Sequence, residues 1–284
     1  MPRPRMSRSP YVYPEHLRGQ LQELPRGPGV YLFYGDNYTM PLYIGKSLNI
    51  RSRVMTHLRN KDEARLLRQS RRIEYHCTAG DLGAQLLEAQ LIKQLQPLYN
   101  RRLRKQRRLY TLHLQDGIPQ VIETKTLATD AAHPPFFGLF SHRKAAAETL
   151  MAIADTHGLC YHRLGIASWE RNGACFRVAL GRCRGVCCGQ ELPDVHDLRL
   201  RQALEGWRIN IWPYPGPIGI IETSADLQQI HVVDQWHYLG SASTEAQAQQ
   251  LVVPAPSFDR DLYRILCPTL LKETHSVIPL TCSH

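Results

Sequence analysis

The sequence predicts an α+β fold, in which a small, mostly antiparallel sheet flanked by helices precedes a second α+β domain with a cysteine cluster. Two runs rich in β-branched and aromatic residues, Val30–Tyr34 and Leu42–Ile44, flank the turn-forming residues Gly35-Asp36-Asn37, which predicts a hairpin. Apolar residues recur at helical spacing over residues 81–95. Four cysteines fall within residues 175–188.

A helix follows the hairpin. Ser47 is of a type that caps helices, and the helical pattern continues to about Asn60. Arg53 and His57 are one turn apart and share a face of this helix. Its apolar residues, which recur at helical spacing, are Ile50, Val54, Met55 and Leu58.

A third strand is predicted over Ile73–Cys77, after a charged stretch. The helix over 81–95 comes next and ends near Pro97. Glu88 falls inside the apolar stripe of that helix, where a carboxylate costs several kcal/mol unless a positive group or a metal meets it. A purely structural role therefore explains Glu88 poorly. The stripe itself consists of Ala84, Leu91, Ile92 and Leu95.

The second half of the chain predicts strands over Tyr110–Leu114 and Val121–Thr126 and a helix over Ser141–His157. Prolines and glycines within Ile209–Glu222 indicate short strands joined by tight turns, and the last sixty residues are uninformative. We therefore divide the chain into a basic N-terminal arm (1–22), a domain that contains the hairpin and the helix of Glu88 (23–108), and one C-terminal domain with the cysteine cluster (109–284).

The charge of the chain predicts a polyanionic partner. The formal net charge is +10 and the sequence pI is about 9.3, which favours nucleic acid first and an anionic membrane surface second. No apolar run approaches the ~20 residues that span a bilayer, and residues 1–10 are too polar and proline-rich for a signal peptide. A cytoplasmic protein is expected.

Two basic segments are candidates for phosphate contacts. One is the N-terminal arm, with Arg3, Arg5 and Arg8. The other is a run flanked by Tyr99 and Tyr110, an arrangement expected of a surface that follows a phosphate backbone and stacks on bases. A solvated surface without specific contacts is the alternative for both segments. The basic residues of the second run are Arg101, Arg102, Arg104, Lys105, Arg107 and Arg108.

The first hundred residues contain the groups that phosphodiester cleavage requires. A water must be deprotonated and the charge on the phosphate neutralised, and a divalent cation bound by oxygen ligands, Mg²⁺ or Mn²⁺, assists both. The sequence resembles the GIY-YIG nuclease family through Gly29-Val30-Tyr31, Tyr43-Ile44-Gly45, Lys46, Arg53, Glu88 and Asn100. Over residues 20–190 it is similar, more narrowly, to the N-terminal half of UvrC, the incision subunit of bacterial nucleotide excision repair.

The resemblance implies a role for each matching residue. Tyr43 would be the general base, with Lys46 favouring its phenolate, and Tyr31 would position the water or phosphate. Arg53 would offset charge on the scissile phosphate, and Glu88 would hold the cation. Gly45 would allow a close backbone approach and Asn100 would line the site. His57 departs from the UvrC pattern; an ordinary surface histidine is favoured over a DNA contact.

The resemblance also implies partners and a reaction. The substrate would be damaged double-stranded DNA, cut on the 3′ side of a lesion, within a complex containing UvrB that UvrA loads. We see no second nuclease domain of the UvrC kind in the sequence, so one active site should make one cut. A free-standing site-specific GIY-YIG endonuclease and a non-catalytic DNA-binding module with a structural metal are the alternatives.

The cysteine cluster predicts a metal site. Thiolates at Cys160, Cys175, Cys183 and Cys187 suit either a tetrahedral Zn²⁺ ion or a four-iron cluster, and the spacing alone does not choose between them. Resemblance to UvrC implies a [4Fe-4S] cluster. Cys188 could replace Cys187 as a ligand, although Cys187 is preferred; four reduced, buried cysteines without metal are the alternative.

Overall fold

A computed structural model describes most of the chain: residues 11–36, 39–100, 109–124, 135–167, 173–252, 259–272 and 274–281. The chain forms two compact units. The first unit combines residues 1–106 with residues 214–284, and the second consists of residues 107–213. Within the described ranges, no helix has both the length and the apolar character that crossing a membrane requires.

The first unit begins with a three-stranded antiparallel sheet. Its strands are β1 (Gly29–Tyr34), β2 (Pro41–Ser47) and β3 (Arg72–Cys77), in the order β2-β1-β3. Tyr31 on β1 pairs with Gly45 on β2 in the register of the sheet. The predicted hairpin and third strand are therefore present, and the sheet is antiparallel throughout.

Helices cover both faces of this sheet because side chains alternate along β1. Tyr31 and Phe33 point to the side of α1 (Ile50–Arg59) and α2 (Ala64–Gln69) and share a core with Ile50 and Val54. The intervening residues of β1 pack with Ile92 of α3 (Asp81–Leu95). The cap of α1 differs from the prediction: Asn49, not Ser47, accepts the N–H of the first turn, because Ser47 still belongs to β2.

The N-terminal segment differs from the predicted basic arm of residues 1–22. Residues Glu15–Leu17 and Gly19–Gln22 form two 3₁₀ helices. Leu17 and Leu21 are buried in the core beneath α1. Arginines dominate the composition of this segment, but the two leucines lie in an apolar core, so residues 11–22 pack with the sheet β2-β1-β3.

The second unit contains a three-stranded antiparallel sheet of order β5-β4-β6, and its two longer helices share a core with that sheet. The strands are β4 (Tyr110–Gln115), β5 (Ile118–Glu123) and β6 (Phe136–Phe140). The helices are α4 (Arg143–His157), α5 (Phe176–Ala179) and α6 (Pro193–Glu205).

Residues 214–281, called here the C-terminal module, return to the first unit and form a four-stranded antiparallel sheet of order β10-β7-β8-β9. Its strands are β7 (Ile218–Thr223), β8 (Gln228–Asp234), β9 (His237–Ala242) and β10 (Ser276–Pro279), with α7 (Glu245–Gln250) and α8 (Arg260–Leu271). The single domain predicted over 109–284 is thus two bodies. Prolines at 213, 215 and 217 lie at the boundary between the two units and lack backbone N–H donors.

Candidate active site

A buried chain of hydrogen bonds links Tyr31, His57 and Glu63. The hydroxyl of Tyr31 lies 2.7 Å from Nε2 of His57. Nδ1 of His57 is hydrogen-bonded to a carboxylate oxygen of Glu63, which lies in the short 3₁₀ helix after α1. Tyr31 and His57 are 1% and 3% exposed. This arrangement holds the imidazole through both ring nitrogens, so its orientation towards the phenol is defined.

Tyr43 completes an aromatic cluster with Tyr31 and His57. Its ring centroid is 6.3 Å from that of Tyr31 and 5.4 Å from that of His57. Gly45 makes this packing possible, because a Cβ atom there would lie 2.4 Å from the hydroxyl of Tyr31. The close approach expected at Gly45 is thus an approach of the Tyr31 side chain to β2.

Both phenols are held in the protonated form. Burial, and after it the neighbouring Tyr43, raises the pKa of Tyr31 far above its ordinary value. Burial and the charges of Glu88 and Glu63 raise the pKa of Tyr43 as well, and Arg53 offsets this only in part. A tyrosinate therefore does not pre-exist in this site near neutral pH; a phenol can accept a proton only by passing its own proton on.

Arg53 supplies positive charge beside the phenols. It lies one turn before His57 on α1, and its side chain is exposed. Hydrogen bonding to Tyr31 and the nearby phenol charges raise the pKa of the guanidinium, so Arg53 stays positively charged. The buried, hydrogen-bonded residues Tyr31, His57 and Glu63 thus lie beside the accessible cation of Arg53. This arrangement suits an anionic substrate.

Glu88 projects from α3 towards the end of β2. Its Oε1 accepts the backbone N–H of Lys46 at 3.1 Å. This is the single hydrogen bond of Glu88 among the described residues. Burial raises the pKa of the Glu88 carboxyl, although the N–H and the charge of Lys46 act in the opposite direction. A half-buried carboxylate with acceptor capacity to spare fits a hard divalent cation, since the cation would compensate its charge.

The side chain of Lys46 contacts Asp81, whereas the predicted role places it near Tyr43. Its Nζ pairs with Asp81 of α3 at 2.6 Å. The reason is the alternation of strand β2: positions 43 and 46 are three apart and face opposite sides of the sheet. The charge of Lys46 is therefore paired with Asp81, and its role at Tyr43 stays a prediction.

Asn100 fixes the outer edge of β2. Its Oδ1 accepts the N–H of Ile44 at 2.8 Å, and its Nδ2 donates to the carbonyl of Ile44 at 2.7 Å. Because β2 is an edge strand, these two bonds satisfy groups that would otherwise lack a ladder partner. Asn100 thus holds the backbone between Tyr43 and Gly45.

Sequence reasoning missed three residues of the site: His57, Glu63 and Asp81. The interpretation of His57 as a surface histidine was wrong, because it is buried against Tyr31. A signal was available, since His57 follows Ile50 by seven residues and so lies in the apolar stripe of α1. The basic run assigned to DNA contact, Arg101–Arg108, lies outside the described residues.

A second candidate site is the cysteine group of the second unit. Cys160, Cys175, Cys183 and Cys187 bring their sulfur atoms within 4.8 Å of one another. These are the four cysteines predicted as ligands from the sequence. Cys188 points elsewhere and donates its thiol to the carbonyl of Gly185.

The surroundings of these cysteines suit thiolate ligands. The N–H of Cys175 points to the sulfur of Cys187, and the N–H of Gly185 to that of Cys183, both at 3.4 Å. Burial raises the pKa of the Cys160 and Cys183 thiols, so a metal would be needed to deprotonate them. A tetrahedral Zn²⁺ ion with ~2.3 Å bonds separates its sulfur ligands by ~3.8 Å, which fits the observed spacing. A four-iron cluster would require the sulfur atoms to lie farther apart.

Three protein-family models match consecutive parts of the chain. Residues 27–101 match the UvrC-like GIY-YIG domain, residues 109–206 the middle domain of UvrC and Cho excinucleases, and residues 217–284 the excinuclease Cho C-terminal domain. The first match contains the whole tyrosine site. Fold and site together define a nuclease of the GIY-YIG class.

Excinuclease Cho of Escherichia coli O6:H1 (strain CFT073) is 50% identical over 270 residues, which are 95% of this chain and 91% of that protein. Excinuclease Cho of Salmonella typhi is 48% identical over 271 residues, 95% of this chain and 92% of that protein. The chain belongs to the excinuclease Cho family.

The UvrABC system protein C of Synechocystis (strain PCC 6803) is 32% identical over 193 residues, which are 66% of this chain but 30% of that protein. A magnesium-bound structure of the GIY-YIG N-terminal endonuclease domain of Thermotoga maritima UvrC is 32% identical, covers 30% of this chain and 97% of that chain, and has a TM-score of 0.28. The chain is an endonuclease homologous to UvrC, and its function is incision in nucleotide excision repair.

Proposed function

We propose that this chain makes one metal-dependent incision in damaged double-stranded DNA, on the 3′ side of the lesion, at the site formed by Tyr31, His57 and Glu88. The observation that carries the proposal is the buried hydrogen bond between Tyr31 and His57 beside an exposed Arg53. The 3′ side comes from the resemblance to UvrC. The residues that the structure describes contain one such site, so we propose that the chain makes a single cut.

The proton path begins at the attacking water. Tyr31 accepts a proton from that water at its hydroxyl oxygen, while its own proton moves to Nε2 of His57. Nδ1 of His57 keeps its proton, which it donates to Glu63, so the imidazolium is formed next to a carboxylate. The resulting hydroxide forms the new bond to phosphorus as the bond to the leaving oxygen breaks. This assignment places the base at Tyr31, whereas the sequence resemblance implies Tyr43.

The other residues orient the phosphate. Arg53 donates to the non-bridging oxygens and offsets the charge that develops on them. Tyr43, protonated because of its raised pKa, donates a hydrogen bond to the water or the phosphate. Glu88 would hold the divalent cation, Mg²⁺ or Mn²⁺, which when bound stabilises the leaving oxygen.

Partners are proposed from family membership. DNA is the substrate that a net charge of +10 suits, and UvrA and UvrB are the proteins expected to load the chain at a lesion. UvrB is the direct contact that we propose. A cytoplasmic location agrees with this reaction.

The four cysteines are proposed to bind a structural metal. Their sulfur spacing favours a single tetrahedral ion such as Zn²⁺, whereas the resemblance to UvrC implies a [4Fe-4S] cluster. The cysteines belong to the second unit and the tyrosine site to the first, so we assign the metal no part in hydrolysis.

Damage dependence tests the proposal. A duplex with one bulky adduct, labelled at either end of the damaged strand, is incubated with the protein in the presence or absence of UvrA and UvrB. A single product cut 3′ to the adduct, dependent on both proteins, is expected. Equal cleavage of an undamaged duplex would instead indicate a site-specific endonuclease, and binding without cleavage by the intact protein would indicate a DNA-binding module.

A further inference from the structure

The N-terminus of helix α3 has no cap from its own neighbourhood. Its N-cap residue is Gly80, which has no side chain to accept the free N–H groups of the first turn. The carboxylate of Glu222, on strand β7 of the C-terminal module, takes this place. Its two oxygens accept the N–H groups of Leu82 and Gly83, each at 2.9 Å.

Buried neighbours hold the carboxylate of Glu222 in this position. Glu222 is 8% exposed, and its Oε2 lies 3.0 Å from Nε2 of the fully buried His231. The other ring nitrogen of His231 lies 2.7 Å from the hydroxyl of Ser241. Burial raises the pKa of Glu222, but the bonds from His231 and from the two backbone N–H groups outweigh it, and the pKa lies below its ordinary value. The carboxylate is therefore ionised at the positive end of the helix dipole.

Two glycines make room for this contact. A Cβ atom at Gly80 would lie 2.2 Å from Oε1 of Glu222, and one at Gly83 would lie 2.7 Å from Cε1 of His231. A glycine inside a helix is less favourable than alanine. At position 83, the absence of a side chain leaves the space that His231 of the C-terminal module occupies.

The module holds α3 at two further places. Oε1 of Gln229 accepts the N–H of Ala79, just before the helix, at 2.8 Å. Near the other end, Lys93 forms an ion pair with Asp259, which is 7% exposed at its side chain and caps α8. Helix α3 is therefore held between the nuclease sheet and the C-terminal module.

The capped turn leads directly to the nuclease site. Asp81 lies in that turn and pairs with Lys46 at 2.6 Å, and the backbone N–H of Lys46 binds Glu88. Glu88 follows Asp81 by seven residues and lies on the same side of the helix. Loosening of the first turn would release Asp81 and, through it, the end of β2 that positions Glu88.

We propose that Glu222 is a positioning residue of the nuclease: by capping α3 from the C-terminal module, it holds the helix that presents Glu88 to the substrate. The inference rests on the proposed role of Glu88. The C-terminal module, which contains none of the site residues, would then contribute to the reaction through Glu222.

The test uses the full-length protein with Glu222→Ala, Glu222→Gln and, as a matched control, Asp226→Ala, which removes an exposed acid of the same module. Hydrogen exchange at residues 81–84 should become about 2- to 30-fold faster in Glu222→Ala, the range implied by loss of a helix cap. Single-turnover incision at saturating DNA should slow, and more Mg²⁺ should be needed. Glu222→Gln, which keeps one acceptor, should fall between. Asp226→Ala should match the parent protein.

A second substitution separates positioning from general destabilisation. Gly80→Ser would add a cap within α3, and the Cβ contacts that forbid it all come from Glu222. Gly80→Ser alone should therefore impair the protein, whereas Gly80→Ser combined with Glu222→Ala should recover slow exchange and incision. Unchanged exchange and incision in Glu222→Ala would overturn the proposal, as would uniform loss of stability without recovery in the double variant.

These measurements also separate this inference from the proposed function. If Glu88→Ala keeps full incision activity, the role of Glu88 is wrong. Exchange at residues 81–84 still reports whether Glu222 caps α3, because it needs no activity.

Discussion

The hydroxyl of Tyr31 and Nε2 of His57 lie 2.7 Å apart in a place where both side chains are almost fully shielded from solvent. The raised pKa of Tyr31 means that its phenol does not lose a proton to water unaided. A histidine already hydrogen-bonded to Glu63 offers the proton a defined acceptor. In the proposed mechanism, the base is therefore Tyr31 together with His57.

Replacement of His57 by alanine should slow single-turnover incision by about 10²- to 10⁴-fold, because the acceptor for the Tyr31 proton is lost. Tyr31→Phe should have a similar effect, and the double variant should lose little more. Rates are measured on adducted DNA under conditions in which all DNA is bound. His76→Ala, an exposed histidine on β3, is the control, and a His57→Ala rate within twofold of the parent would contradict the assignment.

Substitution of Glu88 or Arg53 should remove cleavage while leaving DNA binding mostly intact. Glu88→Gln is expected to lower incision at least 100-fold and to increase the Mg²⁺ or Mn²⁺ concentration needed, because a neutral amide is a weaker ligand. Incision is followed against metal concentration and after chelation with EDTA, with Glu23→Gln as an exposed control. Equal loss of DNA binding in folded Glu88→Ala protein would count against a catalytic role.

Lys46→Met should leave the alkaline side of the pH–rate profile in place. Lys46 pairs with Asp81, and the main causes that raise the pKa of Tyr43 are burial and the charges of Glu88 and Glu63. The pair is partly exposed, so either single substitution should change the free energy of unfolding by less than about 1 kcal/mol. A shift of either limb of the pH–rate profile by a full pH unit in Lys46→Met would instead support the role that the family resemblance implies for Lys46.

Metal analysis of the purified protein should find one metal site in the second unit. One Zn²⁺ per chain without colour is expected from the sulfur spacing, whereas broad visible absorbance in anaerobically purified protein would indicate an iron–sulfur cluster. Cys183→Ser should release the metal and lower the melting temperature of the second unit; Cys188→Ser should do neither. Full stability of metal-free protein would show that the cysteines pack without a metal.

Asp197→Asn should destabilise the second unit by ~2 kcal/mol at neutral pH, because Asp197 accepts two bonds from Arg163. Burial raises the pKa of Asp197, but the bonds from Arg163 and His196 outweigh it and lower the pKa. The stabilisation is therefore complete above about pH 4 and is lost as the pH falls through the lower pKa of the folded state. Urea unfolding at several pH values should show the two proteins converging in acid; a constant difference would contradict this assignment.

Local patterns predicted the elements that carry the site. The strands of the hairpin and the helix of Glu88 follow from residues that are neighbours in sequence, and α3 spans the predicted residues 81–95. The misfit of Glu88 in an apolar stripe was informative for the same reason. The same reasoning applied to α1 identifies His57 as a second polar residue in an apolar stripe.

Contacts between distant residues could not be predicted in this way. Nothing near Leu82 in the sequence indicates that a glutamate 140 residues later will accept its N–H. Strands β8 and β9 were missed because they mix glutamine, histidine, serine and glycine with few alternating apolar residues. The orientation of Lys46, in contrast, follows from strand alternation, which places positions 43 and 46 on opposite sides of the sheet.

The distance in sequence between Leu82 and Glu222 also imposes an order of events during synthesis. At about 10 residues per second, the ribosome needs on the order of 10 s to pass from one to the other. During that interval the catalytic helix exists without its cap, and the nascent chain carries an incompletely assembled nuclease. If the cap is required for incision, the chain would become active only after β7 has emerged and packed against α3.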